Sequence, residues 1–135
     1  PTLTVAELAL YQVEDKTVQK YSLETYDVNA FTRILFESLD KRIMNLSPAV
    51  KKEYKKLYVA YKLDTNFVDI VFQKQRLRIS INMKFSEIND PNGICKDITG
   101  LGRWGNGDVE LFMEHQDELD QIMEIVKQSF DAQAE

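Results

Sequence analysis

The spacing of apolar residues changes twice along this chain, and those two changes restrict the fold more than any other feature. From residue 28 to 45, Val28, Phe31, Ile34, Leu35, Leu39 and Ile43 recur at three- and four-residue intervals, as on one side of a helix. Between residues 57 and 83 the interval drops to two, and β-branched and aromatic residues take over. Leu77, Ile79, Ile81 and Met83 there alternate with Arg78, Ser80 and Asn82, so one side of a strand is apolar and the other polar. Helical spacing returns after Asp117. Helix, several half-buried strands and helix again describe an α+β domain built on an antiparallel sheet.

The spacing also gives boundaries. A helix is expected over 28–45 with Asp27 as its N-cap, and Ser47-Pro48 reads as the start of a second helix with Val50, Tyr54 and Leu57 facing the core. Strands are expected over 57–62, 67–72 and 77–83, with 73–76 as a hairpin connection. Residues 89–107 are too rich in Gly, Asp and Asn for a regular element and form a long loop. A fourth strand follows over 109–113, then a helix over 117–130 with Leu119, Ile122, Met123, Val126 and Phe130 inward. The expected order is α-α-β-β-β-loop-β-α around about four strands. Residues 1–26 show no sustained period and read as a linker or N-terminal extension, leaving 27–135 as a single domain.

Composition removes several function classes. No apolar run is long enough to cross a bilayer, so no membrane partner is expected. Cys95 is the one cysteine, so no internal disulfide can form, and a reducing cytoplasm is the expected compartment. The chain starts at Pro1 rather than methionine, which suggests a domain taken from a longer protein. Net charge is −5, but it is unevenly spread. Between residues 51 and 78 eight cations face three acids, whereas residues 107–135 hold nine acids and only Lys127. The molecule should therefore carry one basic and one acidic surface.

Gly100, Gly102 and Gly105 spell G-x-G-x-x-G, but a strand rather than a helix follows, so the helix N-terminus that would hold a pyrophosphate is missing. The stretch is better explained as a loop in which Gly102, Gly105 and Asn106-Gly107 supply turn geometry, with Asp97 and Asp108 capping turn N–H groups. Trp104 in its centre either plugs the core or offers a stacking platform beside Arg103. His115 and Cys95 lie twenty positions apart without metal-ligand or nucleophile spacing, and no catalytic residue, metal site or cofactor is expected. Tyr58, Lys62, Arg76 and Arg78 share the outward parity of their strands, with Lys51, Lys52, Lys55 and Lys56 on the expected second helix beside them. Cations interleaved with an aromatic ring are what a phosphate backbone and stacked bases require of a surface.

Tyr58-Val-Ala-Tyr61-Lys62, Asn66-Phe67-Val68, Gln73-Lys74, Asp90-Pro91-Asn92-Gly93, Lys96-Asp97 and Gly102-Arg-Trp104-Gly105-Asn106-Gly107-Asp108-Val-Glu110 follow one another in this order. In order and spacing they resemble a bacterial domain of unknown function, over roughly residues 21–130. That domain commonly ends longer proteins, some with a restriction-endonuclease-like nuclease region in front and some called predicted transport proteins. The chain departs from the pattern at Arg103, where histidine is frequent, so no essential imidazole is implied there. The resemblance implies an accessory module of a nuclease or defence protein and supplies no catalytic residue. The leading expectation is a non-catalytic recognition domain that helps a nuclease-like region of the same longer chain engage nucleic acid through Tyr58, Lys62, Arg76, Arg78, Lys51, Lys55, Arg103 and Trp104. The alternative is a protein-interaction or homodimerisation module that joins basic and acidic surfaces.

Overall fold

The first helix begins slightly later than its apolar spacing predicts. In the computed structural model, which describes residues 20–101 and 107–134, helix α1 spans Ala30–Met44 and is capped by Asn29 rather than Asp27. The Asn29 side-chain oxygen accepts from the Thr32 N–H at 2.8 Å, and the Asn29 N–H donates to the Thr32 hydroxyl at 3.2 Å. That reciprocal box satisfies N–H groups that the first turn leaves without intrahelical partners. The buried side of α1 is Thr32, Leu35, Phe36, Leu39 and Ile43. Phe31 and Ile34, expected inside, are 46% and 52% exposed. The apolar residues of α1 span more of its circumference than one contact face can cover. Phe36 takes the inward place, with its ring 5.0 Å from that of Phe72.

No helix follows Ser47-Pro48. The Ser47 hydroxyl accepts from the Ala49 N–H at 3.0 Å, and the Val50 N–H bonds the Ser47 carbonyl at 3.2 Å, which makes a turn. The chain then enters strand β1, Lys51–Tyr54. After Val50 the sequence offers no repeating apolar side for a helix to bury, whereas the open edge of the strand Val59–Lys62 offers backbone partners along one side. Val50 and Tyr54 do reach the core, but Leu57 is 53% exposed at the turn that follows.

Strands β2 (Val59–Lys62), β3 (Asn66–Phe72), β4 (Leu77–Ile81), β5 (Lys96–Asp97) and β6 (Val109–Met113) complete, among the described residues, a sheet of six strands, not about four, in the order β1-β2-β3-β4-β6-β5. Every pairing is antiparallel. The added strands are β1, taken from the expected second helix, and β5, taken from the expected long loop. Gly107 makes the entry into β6 possible: its φ is +98°, and a Cβ there would sit 2.1 Å from the Ile81 carbonyl oxygen. Only glycine fits both the conformation and the approach.

Helix α2, Leu119–Ala134, follows a short turn in which a Glu118 carboxylate oxygen accepts from the Glu114 and His115 N–H groups, each at 2.7 Å. Ile122, Met123, Ile125 and Val126 are buried, and the Ser129 hydroxyl donates to the Phe67 carbonyl at 2.9 Å. Both helices pack on one face of the sheet, whose core runs from Val59 and Tyr61 through Val68, Ile70, Leu77, Ile79 and Ile81 to Val109, Leu111 and Met113. Of the residues expected to form a linker, Leu23 and Tyr26 join this body. Leu23 packs against the core, and the Tyr26 hydroxyl lies between the carbonyls of Lys55 and Tyr58, at 2.5 and 2.8 Å. Among the described residues no helix is long and apolar enough to cross a membrane.

Candidate functional site

Because side chains alternate across a strand, the register assigns every strand residue to one of two faces. Val59, Ile70, Ile79 and Leu111 lie side by side on the helix-covered face. One residue along, Glu53, Ala60, Asp69, Ser80, Glu110 and Lys96 form a row on the other face, which neither α1 nor α2 covers. A second row on that face runs through Val71, Arg78 and Phe112. Lys51 stands opposite Lys62 at the β1 edge of the same face.

The sequence-derived candidates therefore gather on one surface. Tyr58, Lys62, Arg76 and Arg78 share it by strand parity, and so do Lys51 and Lys55, which arrive there on β1 and its turn rather than on a helix. Lys52 has the opposite parity and serves the helix-covered face, where its ammonium bonds Asp40 of α1 at 3.0 Å. Burial opposes the Lys52 charge, but the bond and charge of Asp40 outweigh it, so the Lys52 pKa is raised. Arg103, Trp104, Gly102, Gly105 and Asn106 lie outside the described residues.

The candidate surface is not simply basic. Glu53 pairs with Lys55 at 2.8 Å and also with Lys62, and these bonds hold its carboxyl down at about 2. Nε of Arg78 lies 3.7 Å from a carboxylate oxygen of Glu110, whose side chain is fully buried. Asp69 is also buried and accepts from the Asn66 side-chain amide at 3.0 Å. Ionised groups withdrawn from water must be paired to be tolerated, so this row is an organised polar core on the sheet face opposite α1 and α2. Arg76 is held differently. Its guanidinium carbon stands 3.8 Å from the centre of the Phe112 ring, and its Nε donates to the Gln73 side-chain oxygen at 2.6 Å. Stacking and a neutral acceptor fix the plane of this cation without neutralising it.

Glu53, Asp69, Ser80, Glu110 and Phe112 are absent from the site expected on sequence grounds. The outward parity of Ser80, Glu110 and Phe112 is readable in Leu77–Ile81 and Val109–Met113, but their juxtaposition requires the strand order β4-β6, and Glu53 joins them only because β1 pairs with β2. Asp97 and Asp108 lie in the chain on either side of residues 102–106. Asp97 accepts from the Thr99 hydroxyl at 2.5 Å and the Thr99 N–H at 2.9 Å, bonds that lower its pKa, while the Asp108 backbone bonds Ile98 and Met83. Burial, with Asp90 close by, pushes the Cys95 thiol up to about 12, which opposes formation of a nucleophilic thiolate. Among the described residues no group of three or more His, Cys, Asp or Glu is placed to hold a metal ion.

Fold and surface together define a small α+β domain with one helix-covered apolar sheet face and one face of organised charge. Residues 24–133 match the family described as "Domain of unknown function (DUF5655)", and the chain belongs to that family. It is also 35% identical over 123 residues to an uncharacterized protein of Haemophilus influenzae, covering 91% of this chain but 38% of that protein. The chain thus spans well under half the length of this bacterial relative. No solved structure matches it.

Proposed function

We propose that this domain is a non-catalytic recognition module of a larger bacterial protein, and that the sheet face opposite α1 and α2 engages a nucleic-acid backbone. The observation that carries this reading is the convergence of Lys51, Lys55, Tyr58, Lys62, Arg76 and Arg78 on one face of one sheet. Ammonium groups along β1 and β2 supply phosphate contacts, and the flat Arg76–Phe112 stack, on the same face as Tyr58 but across β3 and β4 from it, supplies a surface suited to an unpaired base. Glu53 and Glu110 temper the charge, so binding is modest and strongly dependent on salt. A protein far longer than this domain, as the Haemophilus influenzae relative is, leaves room for a separate catalytic region. A nuclease-like region is the partner that fits the recognition role.

Titration of a fluorescently labelled single-stranded oligonucleotide from low to moderate salt tests the proposal. With Lys51, Lys55, Lys62 and Arg76 on phosphates, log affinity should fall against log salt with a slope of about −3. Arg76→Ala and Lys62→Ala should each weaken binding and flatten that slope. Absence of binding at low salt, where a cationic surface is strongest, would overturn the reading.

A further inference from the structure

One end of the sheet gathers the β1–β2 turn, the β3–β4 turn, the exit of β6 and the start of α1. The register places them there, since Tyr54 faces Val59, Val59 faces Ile70, and Phe72 faces Leu77, which faces Met113. The start of α1 is fastened to both turns. The Asn29 side-chain amide donates to the Lys74 carbonyl at 2.7 Å, and the Tyr26 hydroxyl sits between the Lys55 and Tyr58 carbonyls.

Two complementary features share this end. The first is an open groove of about 840 Å³ lined by Asp27, Phe31, Lys74, Glu114 and His115 among others. Phe31 is 46% exposed on its wall, and Ile34, one turn further along α1, is 52% exposed. With two carboxylates and one ammonium in its lining, the groove is apolar on one side and mildly acidic at its rim. The second is the tip of the β1–β2 turn, where Leu57 is 53% exposed directly after Lys55 and Lys56. Lys55 is occupied by Glu53, while Lys56 is exposed.

A leucine beside lysine is the chemistry that an acid-rimmed apolar groove accepts. Phe31 on the groove wall and Ile34 beside it on α1 make a small exposed apolar patch, and such patches often mark a contact with another molecule. Tip and groove are neighbours on the same chain, joined through Tyr26 and Asp27, so the patch is complementary to itself. A two-fold axis between them seats both tips at once and closes the assembly at two copies. We infer that this end of the sheet is a homodimer interface in which the Leu57 tip of each copy docks against Phe31 and Ile34 of the other, with Lys56 facing Asp27 and Glu114. This interface differs from the joining of basic and acidic surfaces expected from charge alone, and it does not depend on nucleic-acid binding.

Sedimentation equilibrium of the 135-residue chain, carried to millimolar concentration, tests the inference. The expected result is a reversible monomer–dimer equilibrium that Leu57→Asp and Phe31→Asp each weaken by about tenfold or more, equivalent to about 1.4 kcal/mol. Both positions are exposed, so the thermal midpoint should hold in at least one variant, and that variant decides the outcome. Lys56→Glu should weaken the dimer, and adding Asp27→Lys should restore most of the loss. A chain that stays monomeric throughout, or a dimer indifferent to both aspartate variants, overturns the inference.

Discussion

The two faces of the sheet are made by the same strands, yet different physics holds them. On the helix-covered face Val59, Ile70, Ile79 and Leu111 are buried against α1 and α2, and area removed from water is the stabilising term. One residue along, Glu53, Asp69, Ser80 and Glu110 line up, and pairing geometry decides whether burial is tolerated. The first face tolerates any apolar side chain of similar volume. The second depends on particular partners, which makes it the more informative guide to function.

The largest expected effect removes both faces together. Gly107→Ala places a Cβ against the Ile81 backbone at a positive φ, so β6 cannot enter the sheet. The cost should exceed about 4 kcal/mol, near the whole stability of a small domain, and circular dichroism should show little cooperative unfolding. Leu111→Ala should cost about 3 to 4 kcal/mol in urea denaturation. Val71→Ala, the same kind of truncation on the other face, should cost less than about 1.5 kcal/mol. Equal costs would mean that the faces do not differ as described.

Glu110→Ala leaves the Arg78 guanidinium, mostly buried, without this carboxylate and should cost about 2 to 3 kcal/mol. Replacing both residues together, Arg78→Met with Glu110→Leu, should recover most of that stability while weakening oligonucleotide binding. Stability and recognition would then separate on one face.

The faces should also fail at opposite ends of the pH scale. On the helix side the Tyr61 hydroxyl donates to Asp40 at 2.6 Å, and burial pushes its pKa well above the usual value of 10. Tyr26 is pushed up to about 12, chiefly by burial. Above pH 10 the unfolded chain releases these protons and the folded chain keeps them, so stability falls as pH rises. Tyr61→Phe should cost about 1 kcal/mol at neutral pH and shallow the alkaline limb. On the charged face Glu53 titrates at about 2 when folded, against 4.5 otherwise, so its contribution is complete above pH 4.5 and disappears toward pH 2. That loss should be the smallest of these effects, because Glu53 and its lysine partners are partly exposed and screened by solvent. Comparing acid titrations of the parent chain and Glu53→Gln should reveal it.

Strand parity makes much of the candidate surface legible in the sequence. The outward positions of Tyr58, Lys62, Arg76 and Arg78 follow from alternation alone, and alternation is enough to give them a shared face. The acids that temper them are legible only singly. Glu110 reads as an outward residue of its own strand, and nothing local says that β6 lies beside β4 instead of at an edge. Lys51 and Lys55 are expected near the surface but on the wrong element, because Ser47-Pro48 is an equally good opening for a turn and for a helix.

The sequence by itself determined the α+β class, the core of β2 to β4 and β6, and the C-terminal helix, because these rest on a period that each segment repeats within itself. Tertiary structure decided what depends on neighbours. Whether Lys51–Tyr54 became a strand depended on the free edge of β2, and which side of α1 turned inward depended on how Phe36 met Phe72. Hydrogen-bond partners and packing surfaces far away in the chain leave no trace in local spacing. That is why Phe31 and Ile34, apolar and correctly spaced for the core, stand outside it.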